Sequence, residues 1–267
     1  MKRVFVTGAS SGIGLAVAKS LVAQGFEVWG TSRNLERIPK IPRWHAVRLD
    51  LTDPLSIDQA FNAAVTEAGY FDVLINNAGA GHFGPAELLS AETIGSQFQI
   101  LVFGQIQLMK LALQHMQARG EGLIINVTSL ASRLPVPFMA AYNAAKAALA
   151  SYTMSIQLEL GNSPVHVVDL QPGDISTEFN QGMVKSAKMD PRYEAKIART
   201  WEVVERTMKN APSPDVVARH VLKLIKADRP PPRVTVGDLF ESKIALLIFR
   251  FLPQRVRLWG LKRHYEI

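Results

Sequence analysis

Tyr142 and Lys146 stand at i and i+4, and Ser129 precedes them across a short intervening stretch. On a helix that spacing brings a phenol and an ammonium to one face, a turn apart. A free tyrosine titrates near ~10, too high for acid-base work close to neutrality. A neighbouring cation stabilises the phenolate and is expected to lower that value, the role open to Lys146. Ser129 can hydrogen-bond the oxygen that the phenol protonates. The three groups together suit proton delivery to a carbonyl or proton removal from an alcohol. None of them carries electrons, so the hydride must come from a cofactor.

The N-terminus offers a place for one. Thr7-Gly8-Ala9-Ser10-Ser11-Gly12-Ile13-Gly14 follows a short apolar run and opens an amphipathic one. A helix N-terminus presents free N–H groups and a partial positive charge, which suit a pyrophosphate. Gly8, Gly12 and Gly14 permit a tight turn and close approach of the backbone, with Ser10, Ser11 and Ile13 in the same cradle. The glycine spacing is four and two, unlike the dinucleotide fingerprint, so the strand-turn-helix context carries the reading. After the second apolar run stands Arg33, with no acidic residue to hold a ribose 2′-hydroxyl. A guanidinium there can pair with a 2′-phosphate, which favours NADP(H) over NAD(H). Asp50 and Leu51 are expected against the adenine. Asn76-Asn77-Ala78-Gly79 supplies small residues and amides at another strand end.

These segments need a scaffold that gathers strand ends. Short apolar runs alternate with longer amphipathic ones, the pattern of βα repeats and a parallel sheet. The expected strands are Arg3–Thr7, Glu27–Thr31, His45–Asp50, Asp72–Asn76, Gly122–Thr128, Val165–Gln171 and Arg233–Val236. The expected helices are Gly12–Gln24, Leu55–Ala68, Ala91–Arg119, Ala140–Leu160 and Pro214–Lys226. Asp53-Pro54 and Ser213-Pro214 read as helix starts, Gly25 and Gly69 as stops. The fold class is therefore α/β: a doubly wound, Rossmann-type parallel sheet of about seven strands with helices on both faces. All the candidate residues fall at strand carboxyl ends, where such sheets bind ligands. The chain reads as one domain over 1–267, with 179–211 as a substrate lid and 239–267 as a C-terminal extension.

Composition narrows the class further. The chain has 267 residues, 48% hydrophobic and 20% charged, an ordinary globular balance. It contains no cysteine, which removes thiolate chemistry, disulfides and cysteine-based zinc. His82, His115, His166 and His220 match no nucleophile or H-E-x-x-H motif, so no metal is expected. Formal net charge is +7, which could suit nucleic acid or an anionic membrane; no nucleic-acid motif accompanies it, and an ordinary surface plus a phosphate-bearing cofactor is the favoured reading. The start MKRVFVTGAS has no long apolar region of a signal peptide, and no apolar run is long enough to span a bilayer. A cytoplasmic location is expected.

Taken together, TGASSGIG at 7–14, NNAG at 76–79, Ser129 with YNAAK at 142–146 and PGDIST at 172–177 resemble the short-chain dehydrogenase/reductase superfamily. The match is to its compact single-domain branch, most similar to hydroxysteroid- and retinol-dehydrogenase-like members, over Met1–Phe179. The resemblance implies a seven-stranded sheet, a tyrosine acid/base at Tyr142, a lysine at Lys146 that also binds the nicotinamide ribose, and Ser129 positioning the carbonyl. It implies that Pro172, Gly173, Ile175 and Thr177 flank the nicotinamide, and that Arg33 accompanies NADP(H). It also implies a homodimer or homotetramer built on the helices Ala91–Arg119 and Ala140–Leu160. One departure stands out. Where the family has an asparagine that holds a relay water for the lysine, this chain has Leu101, leaving a backbone carbonyl, Gln99 or Gln105 to take that role.

Phe179, Met183, Met189, Trp201 and Met208, with Leu134, Val136 and Phe138, form an apolar set around the trio. They suggest an apolar ketone, aldehyde or alcohol as substrate. The tail Lys243–Phe251 with Arg250, Arg255 and Arg257 fits either a helix closing on the pocket or a partner subunit, or a peripheral membrane contact, as in a membrane-associated lipid reductase. The leading reading is an NADP(H)-dependent oxidoreductase. The rival is a non-catalytic NADP-binding sensor or scaffold on the same fold.

Overall fold

The computed structural model describes residues 1–185, 190–238 and 245–267. Met189, Lys243 and Ile244 lie outside the described residues.

The chain starts β1 (Arg3–Val6), α1 (Gly12–Ala23), β2 (Glu27–Ser32), β3 (Trp44–Arg48), α2 (Pro54–Ala68) and β4 (Val73–Asn76). A two-residue strand β5 (His82–Phe83) leads to α3 (Ala91–Phe98), a π-helical turn at Gln99–Phe103 and α4 (Gly104–Arg119). Then come β6 (Gly122–Val127), α5 (Ala140–Leu160), β7 (Val165–Pro172), β8 (Val184–Lys185) and α6 (Pro191–Asn210). The chain closes with α7 (Asp215–Lys226), β9 (Arg233–Val236), α8 (Leu246–Phe251) and α9 (Gln254–His264). Seven strands form one parallel sheet in the order β3-β2-β1-β4-β6-β7-β9, and β5 pairs with β8 apart from it. The fold class expected from the sequence is the one observed.

Strand interiors such as Val73-Leu74-Ile75 and Leu123-Ile124-Ile125 are buried because both sheet faces are covered. On one face Val4, Val6, Val28 and Ile75 pack on Val17 and Leu21 of α1 and Val217 and Val221 of α7. On the other, Phe5, Leu74 and Ile124 meet Phe61 of α2 and Leu108 and Met109 of α4. Alternate residues of each strand thus feed two cores. The order reverses between β1 and β4, and that switch point opens the crevice where the site lies.

Asp53 caps α2 by accepting from Leu55 N at 2.9 Å, with Pro54 in the first turn. Gly69 ends the same helix at φ +80. Two helix expectations need correction. Ser213 does not cap α7, because its hydroxyl turns to the Asp215 carboxylate at 3.1 Å and Pro214 takes the boundary. The run expected as one helix over Ala91–Arg119 carries the π turn in its middle. Gly104 sits there with no room for a side chain: a Cβ would come within 2.8 Å of Leu51 O. Such turns insert an extra residue and re-aim the side chains within it.

Candidate active site

The turn after β1 is locked to the end of β4. Thr7 Oγ1 accepts from the backbone N–H groups of Asn77 and Ala78, each at 2.9 Å, and Asn77 Nδ2 donates to Thr7 O at 3.0 Å. Gly8 has φ +67, and a Cβ there would meet Ala78 Cα at 2.9 Å. A Cβ on Gly14 would stand 2.2 Å from Gly8 O and 2.4 Å from Asn77 Nδ2. These glycines therefore permit a tight, close-packed turn that no other residue allows. Ser11, the N-cap of α1, makes no side-chain capping bond, so the first-turn amides near Ser10, Gly12 and Ile13 keep their donors directed outward from the helix. Thr177 leans over the turn, its Cβ 3.4 Å from where a Gly12 Cβ would be. The Pro172–Thr177 segment thus reaches the glycine turn, with Ile175 buried beneath it.

Arg33 is exposed at the end of β2 and faces Asp50. Burial works against the Asp50 carboxylate, but hydrogen bonds from Thr52 and the charges of Arg33 and Arg48 outweigh it and hold its pKa below the usual value. Leu51 is buried and its carbonyl accepts from Gln99 Nε2 at 3.3 Å. Gly79 lies against Leu101.

The proton-transfer groups converge at the ends of β6 and α5. Ser129 is extended, and its Oγ accepts from Ala131 N at 3.1 Å. Tyr142 lies in the first turn of α5, where the Ser129 side chain favours its ionised form. Asn143 pins the preceding loop onto the helix by donating to Val136 O at 2.8 Å. Phe138, at φ +62, makes the sharp entry to α5 in a region that bulky residues rarely adopt. Lys146, one turn on and 3% exposed, donates from Nζ to Val127 O at 2.7 Å.

The profile of the short chain dehydrogenase family matches residues 2–188. The chain belongs to the short-chain dehydrogenase family. It is 32% identical to the 3-ketodihydrosphingosine reductase of Bacteroides thetaiotaomicron, over 99% of this chain and 98% of that one. It is 36% identical to the NADPH-dependent 1-acyldihydroxyacetone phosphate reductase of Schizosaccharomyces pombe, over 67% of this chain and 61% of that one. Among solved structures, a short-chain dehydrogenase from Streptomyces avermitilis superposes with a TM-score of 0.84 at 28% identity, covering 98% and 96% of the two chains.

Proteins of this family bind nicotinamide dinucleotides, and the close-packed glycine cradle with its outward amides fits one. The electrostatics of this short-chain dehydrogenase differ from expectation at Tyr142. Burial pushes the phenol up to about 12; the Ser129 side chain lowers it and the Asp174 charge raises it. Lys146 does not offset this. Its ammonium sits 5.9 Å from the Tyr142 ring centroid and is directed to the Val127 carbonyl instead. Burial lowers the Lys146 pKa to about 8, with Asp169 opposing.

Asp169 and Asp174 escaped the sequence reading. Asp169 is buried mid-strand in β7, where it accepts from Thr128 Oγ1, from Gln171 Nε2 at 2.8 Å and from Arg233 Nε at 2.8 Å. The available signal was a lone carboxylate inside the apolar run Val167-Val168-Asp169-Leu170. Burial raises the Asp174 carboxyl above its ordinary value, opposed by the Thr207 hydroxyl and the charge of His264.

Leu101 is fully buried in the π turn, packed with Val102, Ala145 and Tyr142. Of the glutamines expected near the lysine, Gln99 is spent on Leu51 O, and Gln105 Nε2 donates to Ala78 O at 2.8 Å. Gln105 Oε1 is buried with no hydrogen-bond partner among the described residues.

Phe179, Met183, Trp201, Val136 and Phe138 gather around Tyr142, joined by Phe83 and Met139. Phe179 tilts on the Tyr142 ring at 5.7 Å, and Trp201 of α6 meets Phe83 edge-on at 4.9 Å. Leu134 and Met208 are partly buried outside this cluster. Among the described residues no cluster of metal ligands exists, and no helix is long and apolar enough to cross a membrane.

Proposed function

We propose that the chain is an NADP(H)-dependent reductase that interconverts an apolar carbonyl and its alcohol. The supporting observation is Tyr142 within the electrostatic reach of the Ser129 side chain and Lys146 a turn away, roofed by the aromatic cluster of Phe83, Phe138, Phe179 and Trp201. Gly8, Ser10, Ser11, Gly12, Ile13 and Gly14 would hold the pyrophosphate. Arg33 would pair with the 2′-phosphate, and Asp50, Leu51, Asn77, Ala78 and Gly79 would line the adenosine side. Pro172, Gly173, Ile175 and Thr177 would flank the nicotinamide. When bound, the dinucleotide supplies or accepts the hydride.

The remaining work falls to the chain. Ser129 hydrogen-bonds the substrate oxygen and orients it. The Tyr142 hydroxyl, protonated at neutral pH, donates its proton to that oxygen. Lys146, held by Val127 O, would offer its remaining N–H donors to the cofactor ribose. The segment 179–211 acts as a lid that excludes water. An apolar lid over a phenolic acid suits ketones with hydrocarbon character. The similarity to two reductases of lipid ketones points the same way. The chain works as one domain in the cytoplasm. Exposed Met154 and Leu158 on α5 and Phe103 beside α4 suit a homodimer or homotetramer packed on those helices.

The test is oxidation of NADPH and of NADH against a panel of long-chain and short polar carbonyls. The proposal expects NADPH and the apolar members to be preferred; preference for NADH or for polar substrates refutes it. A sensor remains the second reading, favoured by Leu101 in the relay position. Tight NADPH binding with no turnover on any carbonyl selects it.

A further inference from the structure

The C-terminal helix pair presents an apolar and basic surface to solvent. In α8, Leu247, Ile248 and Phe251 point outward together, Leu247 at 62% and Phe251 at 75% exposure. In α9, Val256, Leu258 and Trp259 are exposed, Trp259 at 64%. The same outward arc of α9 carries Arg255, Lys262 and Arg263. The one acidic side chain after residue 245, Glu266, is paired with Arg206 of α6 at 2.9 Å.

The basic character continues into a cleft. Arg133, four residues beyond Ser129, lines it with Leu246, Phe249, Arg250 and Arg257. Arg257 is fixed there by donating to Leu252 O at 2.7 Å and Arg250 O at 3.1 Å. Burial and the charges of Arg233 and Arg250 hold the Arg133 guanidinium below its ordinary pKa, with Asp169 opposing. Like charges converging on a half-enclosed cleft are relieved by an anion. Neither helix is long enough to span a bilayer, α8 having 6 residues and α9 having 11.

We infer that α8 and α9 form a docking surface for an anionic lipid bilayer, with Leu247, Phe251 and Trp259 entering the acyl boundary and Arg250, Arg255 and Lys262 meeting headgroup phosphates. Charge decides between this and a second copy of the chain. A two-fold interface on this face would bring two copies of the same net-basic surface together. A bilayer carrying negative headgroups complements that surface, and basic stems lying over apolar side chains are the usual pattern at a membrane surface. The surface adjoins the Ser129 loop, so a docked molecule would meet apolar substrate at its source. The docking itself is independent of which carbonyl is reduced.

The experiment is co-sedimentation of the full chain with vesicles of phosphatidylcholine alone and of phosphatidylcholine with phosphatidylglycerol. Binding is expected only to the second, weakening as salt rises, with a blue shift of Trp259 emission that disappears in Trp259→Phe. Combined Arg250→Glu, Arg255→Glu and Lys262→Glu is expected to lower the partition coefficient about a hundred-fold or more, at ~1 kcal/mol per basic residue. Combined Leu247→Ser and Phe251→Ser is expected to abolish it, with circular dichroism and NADPH binding confirming the fold. No binding by the folded wild type overturns the inference. So does equal binding to both vesicles, or binding that survives both variants. Should the serine variant convert a dimer to a monomer while no vesicle is bound, the occupant is a second copy and the lipid assignment fails.

Discussion

Lys146 Nζ donates to the carbonyl oxygen of Val127 at 2.7 Å, linking the buried ammonium of α5 to the last residue of β6. The bond fixes the ammonium two residues before Ser129, 5.9 Å from the Tyr142 ring centroid. Lys146 is thereby an anchored cation in an apolar setting, with its pKa lowered from 10.5 to about 8.

That shift has a sign in stability. The folded pKa is depressed, so this contribution is full above pH 10.5 and is lost as pH falls through 8. Its span is on the order of 3 kcal/mol, at 1.36 kcal/mol per unit. Relative to Lys146→Met, the wild type should gain stability between pH 8 and 10.5. Urea unfolding midpoints of the two proteins across that range check this; parallel curves would contradict it. Tyr142 acts oppositely: its raised pKa means stability lost as pH climbs from 10 toward 12.

Asp169 supports the Lys146 charge from β7. Asp169→Asn should move the alkaline limb of the pH–rate profile to lower pH, because Lys146 then loses its proton sooner. The unpaired Arg233, about 40% exposed at its side chain, should cost little stability. A lower rate with an unmoved profile would mean that Asp169 serves packing alone.

Gly14→Ala puts a methyl 2.2 Å from Gly8 O. The turn must open, so NADPH affinity should fall at least about ten-fold, equivalent to ~1.4 kcal/mol. Arg33→Ala should weaken NADPH by a similar factor and leave NADH unchanged. Titration of both dinucleotides by fluorescence separates a damaged cradle from a lost phosphate contact.

Leu101→Asn inserts an amide into the packed contact with Ala145 and Tyr142. It should destabilise by roughly 2–4 kcal/mol, since packing is lost and a polar group buried. Where proton supply to Lys146 limits turnover, the same change should raise the rate and flatten its pH dependence. Unchanged turnover and pH profile would remove the relay from the account.

What the sequence disclosed was what local patterns encode. Seven apolar runs became the seven strands of one sheet, within a residue or two at each end. The glycine turn could be read because Gly8 and Gly14 sit where a side chain has no room. Three features were hidden. The π turn at Gln99–Phe103 leaves the helical period almost intact, so Ala91–Arg119 looked continuous. The partnership of Asp169 with Thr128 and Arg233 joins β7 and β9 to the residue that follows β6 and has no local signature. The direction of the Tyr142 shift depends on burial under Phe179 and its neighbours, which spacing from Lys146 cannot convey.

The most direct test removes a single oxygen atom. Tyr142→Phe and wild type should be compared for NADPH oxidation on an apolar carbonyl, with dinucleotide affinity measured alongside. The account predicts turnover reduced by about 10²–10⁴-fold with NADPH binding retained. Turnover by Tyr142→Phe close to that of the wild type would contradict it.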